Sequence, residues 1–521
     1  MGTQSGHRRI RPFADSCREI WDALEPVRGK VRSRFAIDTR SLAALRIALG
    51  SIILFDLLHR AAYIELFYTD SGVYSLAAYE ATYSRYTGLS IHAASGELWF
   101  QQLVFAIAGL FAIALILGYR TRLVGFVSLV LLLSLHARNP SVLNGGDRLL
   151  WVLLLVSLVS PLGERWSIDA LRRGSARPAV VSFGTAALLA QPLAVFCSNA
   201  ILKQGGENWY AGEAVRIALA NDVMTVHLGN SLGAYPALLE VLNWAWVILL
   251  AGSLAFLLLP VGRLRALFAL AYMGAFAGML ASLSVGLFPF VLAASVIPFL
   301  TAPFWETAAR LVPSRWADRR PSASWLGPFT RPPAEHRALD VLRTRGYDSL
   351  ASFTVEFGRS LLTVVGVMVL LWIVLFSASY VADADLPDEI DNAHLDQQRW
   401  GLYAPDPSES YSWYVVEAEL ASGGTVDAHE GGNVTMDRPP DASQEYDTFR
   451  HRKFMQTVRD SGREGTLDVV AEEYADHACV RANAQHGGQV EQVTVYRLIQ
   501  PSPVDGEYED PNRLTVIERD C

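Results

Sequence analysis

The feature that most constrains this chain is the length of its apolar blocks. They run close to 20 residues with few charges, the length a helix needs to cross bilayer hydrocarbon at about 1.5 Å per residue. Nine such blocks lie near residues 41–61, 98–118, 122–138, 147–163, 180–202, 235–261, 263–283, 285–303 and 360–380. Segments of this kind must satisfy their backbone hydrogen bonds internally. The expected fold class is therefore a polytopic α-helical membrane bundle of about nine spans, followed by a C-terminal extracytoplasmic domain. The block at 235–261 exceeds one span and is expected to tilt, kink or run past the bilayer. Only Ser282–Ser284 separates the seventh block from the eighth. A chain that is 51% hydrophobic and 18% charged is too apolar for disorder or a coiled coil.

Arginine placement sets the expected orientation. Segment 1–40 carries nine Lys or Arg residues and segment 304–359 nine arginines. Between them, Arg120 and Arg122, then Arg165, Arg172, Arg173 and Arg177, then Arg263 and Arg265 fall on alternate connections. Cytoplasmic connections are the cation-rich ones. This gives a cytoplasmic N-terminal segment 1–40, a bundle over 41–303, a cytoplasmic Pro/Arg-rich loop 304–359, a last span at 360–380 and an outer domain over 382–521. That last segment holds 29 acidic and 11 basic residues, against 23 and 33 in the rest. No basic stripe lies outside the loops flanking the spans, so nucleic acid is excluded as a partner and membrane lipid is expected. The outer acidity reads as a solvated surface.

The outer segment reads as a small, mostly-β α+β domain. Asp383–Glu389 is a linker. Tyr411–Leu420, the Gly423-Gly424 turn and Thr425–Ala428 form a hairpin signal. Residues 445–480 have helical spacing, and Val490–Ile499 and Leu514–Ile517 read as strands. Of the four cysteines, Cys479 and Cys521 either pair or stand as one buried and one terminal thiol. No CxxC, HExxH, P-loop or GxSxG occurs, and no metal site is expected.

Ionisable groups inside spans need a reason. Arg46 reads as a residue snorkelling to the cytoplasmic face. Asp56 and Arg60 form an i,i+4 pair, read as a local ion pair at the interface. Lys203 is the sharper signal, because the chain has only Lys30, Lys203 and Lys453 against 41 arginines. A buried amine can give up its proton where a guanidinium cannot. The residue reads either as such a base or as an interfacial anchor. Between the third and fourth blocks, Arg138–Asp147 concentrates Asn139, Asn144 and Asp147, with Asp147 a candidate helix cap. By topology this loop and Lys203 share the outer face, where they could line one cavity.

These residues resemble the vitamin K-dependent gamma-carboxylase-like membrane proteins, whose shared region is the HTTM (horizontally transferred transmembrane) domain. The resemblance runs through Arg46, Gly50 and Asp56, then Leu117–Arg120. It continues through Asn139–Leu171 with Trp166–Leu171, and through Ala200–Lys203 with Trp209 and Gly212. It ends at Gln398–Pro405, similar to the motif that opens the outer domain of bacterial and archaeal members. It implies an outward-facing active site using a reduced naphthoquinone, of menaquinol or vitamin K type. Lys203 matches the position of the base that deprotonates the hydroquinone, and Asn139 that of the catalytic asparagine. Asn144, Asp147 and Trp209 would shape the quinone pocket. The implied activity is carboxylation, a carbon–carbon lyase-class reaction, on an envelope protein or peptide. The animal enzymes follow their asparagine with histidine; here that position is Pro140, which neither donates nor accepts a proton. The competing expectation is a non-catalytic, membrane-anchored binding or envelope-assembly protein.

Overall fold

The computed structural model describes residues 25–82, 88, 90–311, 344, 348–381, 401–429, 431–440, 443, 446–460, 468–504 and 506–521. The linker at 383–389, the Gln398–Trp400 part of the outer motif and most of the 304–359 loop lie outside these residues, as do residues 1–24.

Among the described residues the chain is mostly helical up to residue 381. The helices that build the bundle and its cavity include α1 (Thr39–Ala61), α2 (Leu98–Leu117), α3 (Thr121–Arg138), α4 (Gly145–Leu158), α5 (Phe183–Leu202), α6 (Ala214–Ala220), α7 (Pro236–Ala251), α8 (Gly262–Ser282), α9 (Phe288–Val296), α10 (Ala302–Leu311) and α11 (Asp348–Val381). Among the described residues, six helices are long and apolar enough to cross a membrane. Phe288–Phe299 and Ala302–Leu311, bent by 108° at the break, bring the number to seven if counted as one span. The expected nine blocks all contain helix, but α4 has 14 residues and α7 only 16. The overlong sixth block does break: α7 stops at Ala251 and a π-helical turn, Leu254–Leu258, follows.

The connections segregate to two ends. At one end, Arg46 Nη1 donates to Leu115 O and Ile116 O, and its Nη2 donates to Trp166 O. Asp169 accepts from Arg120 N and Thr121 N; Arg265 donates to Arg34 O; Trp305 donates to Ser41 Oγ. These are the arginine-rich connections. Arg46 does not snorkel as expected. It is 0% exposed, because the open carbonyls at the C-terminal end of α2 take its donors. At the other end, Asn139 reaches Phe67 O, Asn144 reaches Val285 O, and Ser284 N donates to Met224 O.

The C-terminal region packs on that second end. Its antiparallel sheet contains β1 (Ser410–Leu420), β2 (Thr425–Asp427), β3 (Val490–Pro501) and β4 (Asn512–Asp520) in the order β2-β1-β3-β4. Alternation along β1 buries Tyr411, Trp413 and Val415 on one face and Val416 and Ala418 toward the other. Two helices, α12 (Phe449–Asp460) and α13 (Asp468–His486), supply Phe454, Met455, Val458, Val470 and Ala475 to the core. Strand and helix share the region, so it is α+β, with the sheet its larger part and the helical spacing at 445–480 resolved into two helices. Cys479 and Cys521 are disulfide-bonded, tying the end of β4 to α13.

Candidate functional site

The loop between α3 and α4 folds around its polar residues. Asn139 is 0% exposed; its Nδ2 donates to Phe67 O at 2.9 Å and its Oδ1 accepts from Ser141 N at 3.2 Å. Pro140 opens the following 3-10 turn, Pro140–Val142. Asn144 caps α4, accepting from Gly146 N and Asp147 N, while Asp147 Oδ2 accepts from Asn144 N at 2.9 Å. This reciprocal box satisfies donors the helix start leaves open. The expected cap at Asp147 is thus shared, with Asn144 as the capping residue.

Asp147 also does something the sequence did not suggest. Its Oδ1 accepts from Arg60 Nη2 at 2.7 Å and Arg450 Nη2 at 2.9 Å, and its Oδ2 accepts from Arg450 Nη1 at 3.2 Å. Asp56 accepts from Arg60 Nε at 2.8 Å and Arg450 Nη2 at 2.5 Å. All four side chains are 3% exposed or less. The Asp56–Arg60 pair is therefore not a local interfacial contact, because α12 lowers Arg450 from the C-terminal region between the two carboxylates. Asp56, His136 and Asp147 bring potential metal-ligand atoms within 4.8 Å of one another. Every carboxylate oxygen there already accepts a guanidinium or backbone hydrogen, so two acids and two arginines balance without an ion. Arg452 extends the dock, donating to Val223 O and Ser284 O.

Lys203 lies elsewhere. It follows α5 and lines an apolar cavity of about 570 Å³, within the range of small-molecule sites. Phe196 and Asn199 of α5, Trp246 of α7, Gly274 and Gly278 of α8 and Leu292 of α9 are among its walls. Lys203 Nζ donates to Leu402 O at 2.7 Å and Tyr403 O at 2.8 Å, and sits 3.9 Å from the centre of the Trp209 ring. Trp209 also lines the cavity, and its Nε1 donates to Tyr403 O at 2.9 Å. Leu402 and Tyr403, from the segment entering the C-terminal sheet, close this end. Burial pushes the Tyr403 phenol up to about 12, against the opposing charge of Arg452.

The structure thus brings Lys203 and Trp209 together and leaves Asn139, Asn144 and Asp147 out of the cavity lining. Phe288 adjoins both groups: it is among the residues lining the cavity, while its backbone N lies 2.6 Å from where a Cβ on Gly146 would sit. Sequence reasoning missed Asn199, Tyr403 and Arg450. Asn199 was legible as the residue four before Lys203, on the same helix face. Arg450 carried no signal, being one arginine among many.

Fold and site define a polytopic helical membrane protein whose extramembrane domain is docked onto the end of the bundle that holds a lysine-headed apolar cavity. The chain matches the HTTM domain over residues 35–305, half of its length, and it belongs to the HTTM domain family. No curated protein and no solved structure matches it.

Proposed function

We propose that this protein is a carboxylase-related membrane enzyme that works with a reduced naphthoquinone, of menaquinol or vitamin K type, with Lys203 as the base. The observation that carries this is the amine at one end of a largely apolar cavity. Two positions on Nζ are held by the Leu402 and Tyr403 carbonyls, which leaves one for a ligand. The aliphatic walls suit an isoprenoid-bearing ring, and the amine suits a phenolic hydroxyl whose proton it would take. Trp209 forms the wall beneath that position. Asn139, Asn144 and Asp147 then act one layer away, holding the loop and the docked domain. An anchoring protein that only displayed its outer domain would have use for the charge cluster but not for the cavity.

The same reading puts the N-terminus in the cytoplasm and the C-terminal domain outside the cell membrane. The gathering of arginine-rich connections at the end opposite the docked domain supports it. It also supports nine passes, with α4, α7 and α9 as short ones within the bundle. An envelope protein or peptide would meet the site from the outer face.

The test is oxidation of a reduced menaquinone analogue by purified wild type, Lys203→Arg and Lys203→Ala. An amine base requires an active wild type and two inactive, folded variants. Activity in Lys203→Arg means the residue supplies only charge, and an inert wild type removes the enzyme reading.

A further inference from the structure

The segment that holds Lys203 lies outside the family-matched part of the chain. Residues 401–406 run over the end of the cavity, and their attachment is specific. Asp406 Oδ2 accepts from Glu207 N at 2.9 Å and its Oδ1 accepts from Asn208 N at 3.1 Å. These amides open the single turn Asn208–Ala211 that carries Trp209. Asn208 Nδ2 reaches Glu409 Oε1 at 3.3 Å as a weaker second tie. Gly206 leaves the room the carboxylate needs, since a Cβ there would lie 2.5 Å from Asp406 Cγ. From Asp406 the chain runs back three residues to the Tyr403 carbonyl, which receives both Lys203 Nζ and Trp209 Nε1. Tyr403 has φ of 51°, a left-handed conformation unusual for a tyrosine, so this carbonyl keeps its direction only while the strap is held at both ends.

We propose that Asp406 is a positioning residue for Lys203. By gripping the Glu207 and Asn208 amides it fixes the two carbonyls that orient the amine, so the C-terminal region completes the site. The role rests on reading Lys203 as the working group of the cavity. Its physical part can be tested without turnover. Asp406 is not among the residues lining the cavity; it acts through the strap and also as a nearby negative charge on Lys203, and Gly206→Ala, which keeps that charge, isolates the strap.

Lys30, Lys203 and Lys453 are the only lysines in the chain, so an amine-acylating reagent followed by peptide mass spectrometry reads each separately. Full-length wild type, Asp406→Ala, Asp406→Asn and Gly206→Ala are labelled in lipid nanodiscs. Lys203 is 3% exposed, so slow labelling is expected in wild type. Asp406→Ala is expected to speed its labelling about tenfold or more, from the loss of two hydrogen bonds. Gly206→Ala, which displaces the same carboxylate, is expected to reproduce the effect. Asp406→Asn keeps one acceptor and should fall between. Lys453, on α12, reports undocking of the whole domain and should label at its wild-type rate. In turnover, kcat falls with KM within about twofold, the pattern of a misaimed group rather than a lost contact. Lys203 labelling within about twofold of wild type in both Asp406→Ala and Gly206→Ala overturns the proposal. So does a parallel rise at Lys453. Faster Lys203 labelling with a wild type inert toward the hydroquinone upholds the positioning role and refutes the catalytic reading.

Discussion

Arg450→Met tests whether the C-terminal region is held to the bundle by the buried charge cluster. Arg450 gives four hydrogen bonds, one to Asp56, two to Asp147 and one to Val142 O. Methionine fills similar volume but leaves Asp56 and Asp147 facing Arg60 alone, one uncompensated negative charge among side chains 3% exposed or less. Removing one partner of a buried pair destabilises by about 3–5 kcal/mol. The loss falls on the dock between α12 and the bundle rather than on either core. The expected result is a lower denaturation midpoint in detergent together with faster proteolysis of the C-terminal region. Asp147→Asn on top of Arg450→Met restores charge balance around the Asp56–Arg60 pair. The double variant should therefore lose less than the sum of the singles, by about 2 kcal/mol or more. If Arg450→Met unfolds within about 0.5 kcal/mol of wild type, or the two losses simply add, the cluster does not hold the domain.

Acid should loosen the same dock through a different group. His451 is buried against Phe67, Tyr446 and His429, and burial, helped by the charge of His429, pushes its pKa down to about 4. The unfolded chain takes up that proton first, near pH 6.5. Stability is therefore full above about pH 6.5 and falls toward pH 4, by about 3 kcal/mol at most; denaturation midpoints at pH 7.5 and pH 5 measure it, and His451→Gln should flatten the slope. Gly286 has φ of 65°, and a Cβ there would lie 2.5 Å from the Phe449 ring, so Gly286→Ala should cost about 1 kcal/mol or more in the same assay. Cys521→Ser frees the end of β4 from α13 and should lower the unfolding free energy by about 2–4 kcal/mol, an effect that reduction of wild type should match.

The sequence by itself determined that this is a helical membrane protein with an α+β tail. Apolar run length and strand alternation are local properties, and bilayer thickness and the pleat translate them directly into structure. It also determined which connections lie together, because alternation of charge along the chain follows directly from helices that cross and return. It marked Lys203 through the scarcity of lysine. It did not reveal that Lys203 and Asn139 belong to different places. Their shared side of the bundle was legible, but the packing of α9, whose Phe288 adjoins both the cavity and the loop, was not. Nor did it reveal what Asp56 and Arg60 do, since a pair four residues apart looks complete on one helix. Only the tertiary structure brought Arg450 to them, nearly 400 positions later in the chain. A buried charge takes whichever partner the fold presents, and that partner leaves no local pattern. The same holds for the Leu402 and Tyr403 carbonyls that grip Lys203: backbone acceptors have no sequence signature, so only the folded strap shows them at the site.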